Sequence, residues 1–211
     1  MRYLSFLLLA VIFISCKDLD TINILKKGNY RMVLDVQDNE ELPFIFEVTS
    51  DSTLTIFNAD ERIDVDEIRY ANDSIYIKIP VFQSYFAGVF EGENFSGQYI
   101  NKTRNRIVPF AATYDKDIRF SPEAAADFDV SGVWEVVFSK GDKNEYIAKG
   151  IFEQDGQHVT GTFRTTTGDY RYLEGIVDGS TLRLSSYDGS HAFLFIADLN
   201  YNTMEGQFYS G

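Results

Sequence analysis

From Gly28 onward, apolar residues recur at every second position. Tyr30, Met32, Leu34 and Val36 alternate with Asn29, Arg31, Val33 and Asp35. Ile75, Ile77 and Ile79 alternate with Ser74, Tyr76 and Lys78, and Trp134, Val136 and Phe138 share a face with Glu135 opposite. A period of two places one set of side chains on a core and the other in water, the pattern of half-buried antiparallel strands. Turn signals recur about every ten residues: Glu91-Gly92, Asp155-Gly156, Gly168-Asp169, Asp178-Gly179 and Asp188-Gly189. Only Glu123–Asp127 favours helix, over about one turn. The pattern predicts an all-β chain.

An apolar-x-Gly-x-aromatic strand occurs three times, as Phe95-Gly97-Tyr99, Val159-Gly161-Phe163 and Met204-Gly206-Phe208. Gly28-Asn29-Tyr30 and Gly132-Val133-Trp134 open two stretches of similar length. Glycine inside a strand marks a bend or a close backbone approach, as at the corners of small barrels. The expected organisation is two antiparallel meander units, 26–120 and 129–211, small barrel-like or calycin-like, joined by a linker at 121–128. The second unit reads as seven strands, near 132–139, 146–153, 158–165, 169–177, 181–187, 191–198 and 203–210. A simple meander barrel closes with an even number, so the unit is expected to lack its last strand or to be completed by something else.

Composition adds an acidic surface and an address. Lys and Arg number 19 against 32 Asp and Glu, a formal charge of −13, which argues against sequence-independent nucleic-acid binding. A single cysteine excludes an intramolecular disulfide, a Cys-x-x-Cys pair and a thiolate zinc cluster. That cysteine follows Met1-Arg2-Tyr3, the apolar run Leu4–Ile14 and Ser15. The run is too short to span a bilayer, which needs roughly 20 residues, but it fits a signal peptide. Phe13-Ile14-Ser15-Cys16 resembles a bacterial lipobox, with Phe13 where Leu is usual. Residues 1–15 are therefore expected to be a lipoprotein signal peptide, Cys16 the lipidated (palmitate-type) anchor, and 16–26 a tether. The plainer alternative is an ordinary signal peptide with an incidental cysteine. Lys17-Asp18-Leu19-Asp20 resembles a surface-export signal of Bacteroidota lipoproteins. Asp51-Ser52-Thr53 and Asp73-Ser74-Ile75 resemble that phylum's O-glycosylation motif, or are simple hairpin turns.

The segments Gly168–Gly175, Tyr187–Phe195 and Gly206–Gly211 resemble the N-terminal β-region of Bacteroidota TlpA-like lipoproteins of the thioredoxin family. Glu41-Leu42-Pro43-Phe44 and Asp73 through Phe82 fit the first half of that region, so the resemblance spans most of 28–211. It implies an outer-membrane lipoprotein of the cell envelope, periplasmic or surface-exposed, with a thioredoxin-like domain beside it. No redox residue carries over, because no matching position is a cysteine. The expectation is an accessory or partner-binding β-module without catalytic residues or cofactors, attached to the membrane through Cys16. The alternatives are a fragment of a thiol–disulfide oxidoreductase and a calycin-like small-ligand carrier.

Asp188, Ser190 and His191 are hydrolase residue types, but triads are assembled from distant segments, and a polar hairpin turn explains these three. His158 is expected at the surface, and two histidines do not supply a three-ligand zinc site. Asp60–Glu67 is rich enough in carboxylates for calcium but lacks a calcium-loop pattern, which favours a solvated strand face. The aromatic residues are the strongest lead. Trp134, Phe163, Tyr170, Tyr172, Tyr187 and Phe193, with Arg171, Asp188 and His191 as polar partners, are the expected pocket lining, against the alternative of a barrel filled by its own side chains.

Overall fold

The computed structural model describes residues 22–211; Cys16, the signal segment and most of the tether lie outside the described residues. The fold is all-β, as the alternation predicts, with sixteen strands in two antiparallel sheets among the described residues. The first sheet contains β1 (Gly28–Asp35), β2 (Glu41–Ser50), β3 (Thr53–Asn58), β4 (Glu61–Val65), β5 (Glu67–Ala71), β6 (Ser74–Lys78), β7 (Ser84–Glu91), β8 (Asn94–Asn101) and β9 (Arg106–Tyr114). The second contains β10 (Gly132–Phe138), β11 (Tyr146–Asp155), β12 (His158–Arg164), β13 (Leu173–Asp178), β14 (Thr181–Tyr187), β15 (Ala192–Asn200) and β16 (Thr203–Ser210). Among the described residues no helix is long and apolar enough to cross a membrane.

The first sheet runs β4-β3-β2-β1-β9-β8-β7-β6-β5. Its two ends are consecutive in the chain, separated only by Asp66. Residues 61–65 pair with β3 and residues 67–71 pair with β6, so this one extended stretch brings the sheet round into a nearly closed barrel. Tyr30, Met32 and Leu34 all point into it and are buried, as their alternation predicts. Rings fill the interior: Tyr30 stacks on Phe46 at 5.0 Å, and Phe86 meets Phe110 edge-on at 5.1 Å.

The second sheet is a meander in simple chain order, β10 to β16, curled into a half-barrel. Its inner face carries Phe152, Val159, Phe163, Leu173, Leu184 and Phe195. The outer face of β14–β16 is also apolar, and Tyr187, Ala192, Leu194 and Tyr209 join the core of the first barrel. Burial on both faces explains why the last four residues of β14, Leu184 to Tyr187, are all buried although two of them are serines, so that period two disappears there. The core of the first barrel is thus built from side chains of both sheets.

Residues 115–131 connect the sheets. Glu123–Asp127 forms bends rather than the helical turn its alanines favour. Asp178 Oδ1 accepts the N–H groups of Glu123 (2.9 Å) and Ala124 (2.8 Å), and Asp127 N–H donates to Gly179 O at 2.8 Å. These tertiary hydrogen bonds replace the helical ones. A single turn has too few internal bonds to compete.

Candidate binding face

Alternation places the rings of the second sheet before any chemistry does. Trp134, Val136 and Phe138 of β10, Phe163 of β12, Phe193 and Phe195 of β15, and Met204 and Phe208 of β16 face the same core. The loop between β12 and β13 adds Tyr170, whose N–H donates to Phe163 O at 3.0 Å. Tyr170 meets Phe193 at 5.0 Å and Phe208 at 5.4 Å, and its hydroxyl lies 2.6 Å from that of Tyr146. Phe138 meets Phe163 at 5.3 Å and Phe208 at 6.1 Å. The rings pack on one another edge-to-face, the arrangement their quadrupoles favour. Burial pushes the Tyr146 phenol pKa upward and the Tyr170 hydroxyl beside it adds to the shift, so Tyr146 stays neutral.

Of the expected pocket lining, Phe163, Tyr170 and Phe193 come together. Trp134 lies on the same face and donates its indole N–H to Val130 O at 2.8 Å. Tyr187 does not join them. It points the other way, into the first barrel, where it stacks on Phe44 at 4.5 Å and meets Tyr99 at 5.5 Å. Odd and even positions of β14 serve different cores, a division that a single strand pattern does not reveal. Arg171 and Tyr172 also leave the set. Both sit in the left-handed backbone region on the surface, with Arg171 over the Tyr172 ring and 3.6 Å from Glu61 of the first barrel.

Asp188 and His191 do pair, at 2.9 Å between Oδ2 and Nδ1. Asp188 Oδ1 also accepts the N–H groups of Ser190 (2.8 Å) and His191 (2.7 Å). Burial opposes its ionisation, but His191 and these N–H donors outweigh burial and hold the carboxyl below its usual range. The pair fastens the β14–β15 turn and lays the imidazole on Phe193 at 5.1 Å. It is a turn cap at the edge of the aromatic face.

His158 is exposed, as expected, and lies 3.3 Å from Glu174. In the acidic stretch, Asp64 accepts the Thr55 hydroxyl at 2.7 Å, and Asp66 sits alone between β4 and β5. Among the described residues no three His, Cys, Asp or Glu side chains gather as metal ligands.

Two features escape strand-pattern reading. The first is a cleft of about 710 Å³ between the sheets, lined by Arg31, Arg183, Lys116, Phe120, Asp178 and Glu123, among others. The second is Arg119, buried in the connector. It donates to Pro43 O (3.2 Å), Phe57 O (2.7 Å) and Ser185 Oγ (3.1 Å), and pairs with Glu174 at 3.0 Å. Burial works against the Glu174 charge, yet Arg119, the Ala59 N–H and His158 together hold its pKa below the usual range. Nothing distinguishes Arg119 in sequence from the other arginines, because its partners come from four distant strands or turns.

No protein-family model, no curated protein and no solved structure matches this chain.

Proposed function

We propose that this protein is a lipid-anchored β-module of the bacterial cell envelope that binds another polypeptide and carries no catalytic residues of its own. One observation supports the binding role above others. Trp134, Phe138 and Phe208, on the two outermost strands of the second sheet, remain half-buried. Their counterparts in the first barrel, Tyr30, Leu34 and Tyr99, are buried. Large apolar side chains left half in water beside a sheet edge that is unpaired among the described residues are the raw material of an interface. The anchor rests on the Leu4–Ile14 run followed by Ser15 and Cys16. The resemblance to TlpA-like lipoproteins makes a thioredoxin-like protein or domain the natural partner.

Two experiments test this reading. Cys16→Ala is expected to move the protein from the membrane to the soluble fraction, and an unchanged membrane fraction refutes the anchor. A photo-crosslinking residue at Phe138 or Phe208 is expected to give discrete adducts in cells, and one at Tyr85 on the first barrel is expected to give none. Absence of adducts at the first two sites refutes the binding role.

A further inference from the structure

We infer that the cleft between the two sheets binds short peptides with unblocked termini, their C-terminal carboxylate held by Arg31. This goes beyond the binding role proposed above and uses a different face of the molecule. The cleft is bounded by β1 and β9 of the first sheet, β13 and β14 of the second, and residues 115–123 of the connector. Its volume of about 710 Å³ falls among small-molecule sites, which run from about 300 to 1,000 Å³.

The decisive residue is Arg31. It lies half-buried on β1, and its Nε donates to Arg119 O at 2.9 Å. Arg119 is itself tied to Pro43, Phe57, Ser185 and Glu174, so the carbonyl that orients Arg31 is fixed. The two Nη groups of Arg31 have no hydrogen-bond partner among the described residues, yet they are not sealed from solvent. Arg31 also forms no ion pair among those residues. Burial pulls its pKa down, and the charge of Glu41 opposes that shift. A guanidinium drawn partly out of water without a carboxylate loses solvation that an incoming anion restores. With Nε engaged, the remaining donors are the paired Nη groups, whose end-on fork matches the two oxygens of a carboxylate. Thr113 stands directly opposite Arg31 on β9 and lines the same cleft, which adds a hydroxyl on that strand face.

The rest of the lining decides the class of ligand. A purely anionic molecule, such as a nucleotide or a phosphosugar, would also meet Asp115, Asp117 and Glu123. These three are exposed and form no ion pair among the described residues. Asp178 is already engaged, because one of its oxygens accepts the N–H groups of Glu123 and Ala124. A ligand with a carboxylate at one end and an ammonium at the other satisfies Arg31 and the connector acids together. A fatty acid lacks the cation. Between those acids in the chain lie Ile118, 55% exposed, and half-buried Phe120, which give the cleft apolar surface. A carboxylate fork, an apolar strip and exposed acids match a peptide with an apolar C-terminal side chain and a free N-terminus. A single amino acid would fill only a small part of the volume.

The test uses the full chain in detergent and titrates the tripeptide Ala-Ala-Phe by calorimetry, beside its C-terminal amide and its N-acetyl form. Ala-Ala-Phe is expected to bind, and amidation is expected to weaken binding at least about tenfold by removing the charge that Arg31 meets. Acetylation is expected to weaken it about fivefold. Arg31→Gln, which keeps an N–H donor for Arg119 O, is expected to bind acid and amide alike. A merely structural role for Arg31 would leave the preference for the acid unchanged. Ile118→Ser, at an exposed site, is expected to weaken binding about fivefold through lost apolar contact. Absence of binding at about 1 mM peptide overturns the inference. Equal affinity of the native protein for acid and amide also overturns it, as does an acid preference that survives in Arg31→Gln. Should Arg31→Gln fail to fold, the acid–amide comparison on the native protein and the Ile118→Ser titration decide. Equal affinity for the acetylated peptide overturns free short peptides as the ligand, in favour of the C-terminal tail of a longer chain. The photo-crosslinks at Phe138 and Phe208 do not involve this cleft, so the binding role is judged separately.

Discussion

Arg119 shows how much one side chain can hold. Its guanidinium reaches β2, β3, β13 and β14 from the connector, and only Nε lacks a partner. Replacing Arg119 by Met leaves Glu174 in a mostly buried site without its cation, at a cost of about 3 kcal/mol in denaturant unfolding. Substituting Glu174→Met in the same chain is expected to recover part of that loss, since an apolar pair avoids the unpaired charge. Glu174 and Asp188 also set the acid limit. Both have folded pKa values below those of the unfolded chain. Their stabilisation is complete above an unfolded value of about 4 and is lost as pH falls through the folded values. Urea midpoints measured from pH 7 to pH 3 are expected to drop steeply below about pH 4, and less steeply in Glu174→Gln.

Among the strands, the repeated glycine has a specific task. A Cβ at Gly97 would collide with Ala87 O, one at Gly161 with Ile151 O, and one at Gly206 with Ile196 O. All three sit where neighbouring strands coil too closely for a side chain, which explains the repeat. Gly206→Ala and Gly97→Ala are each expected to cost about 1–3 kcal/mol. Gly168, with open space around it and an ordinary φ, is expected to accept Ala within about 0.5 kcal/mol. Thermal unfolding of the three variants checks the contrast. The glycine positions were legible in the sequence as bends; which carbonyl each one admits depends on strand pairing.

The two sheets are fastened into one body by the β14–β15 turn. Tyr187 enters the first barrel, Asn58 exchanges hydrogen bonds with its backbone at 2.8 and 3.0 Å, and Tyr99 OH donates to Gly189 O at 3.1 Å. Tyr187→Ala is expected to lose about 3–5 kcal/mol through the cavity it leaves at this junction. Tyr187→Phe is expected to be neutral or slightly stabilising, because the hydroxyl is buried without a partner. Equilibrium unfolding of both variants separates packing from hydrogen bonding. Two consecutive meanders were legible as a pattern, but their joining was not, because β14 looks like any half-buried strand until its second face meets a core.

Local alternation, turn residues and the glycine repeat determined the all-β class and the seven strands of the second unit, since each depends only on neighbours along the chain. The sequence also displayed the aromatic residues. Only the tertiary structure decided which of them meet, sending Tyr187 to the first barrel and assembling Phe138, Phe163, Tyr170, Phe193 and Phe208 in the second. Strand pairing likewise decided that β9 joins β8 to β1 in the first barrel. A strand's neighbours across a sheet come from distant positions, and period two says which faces are apolar without saying what they face.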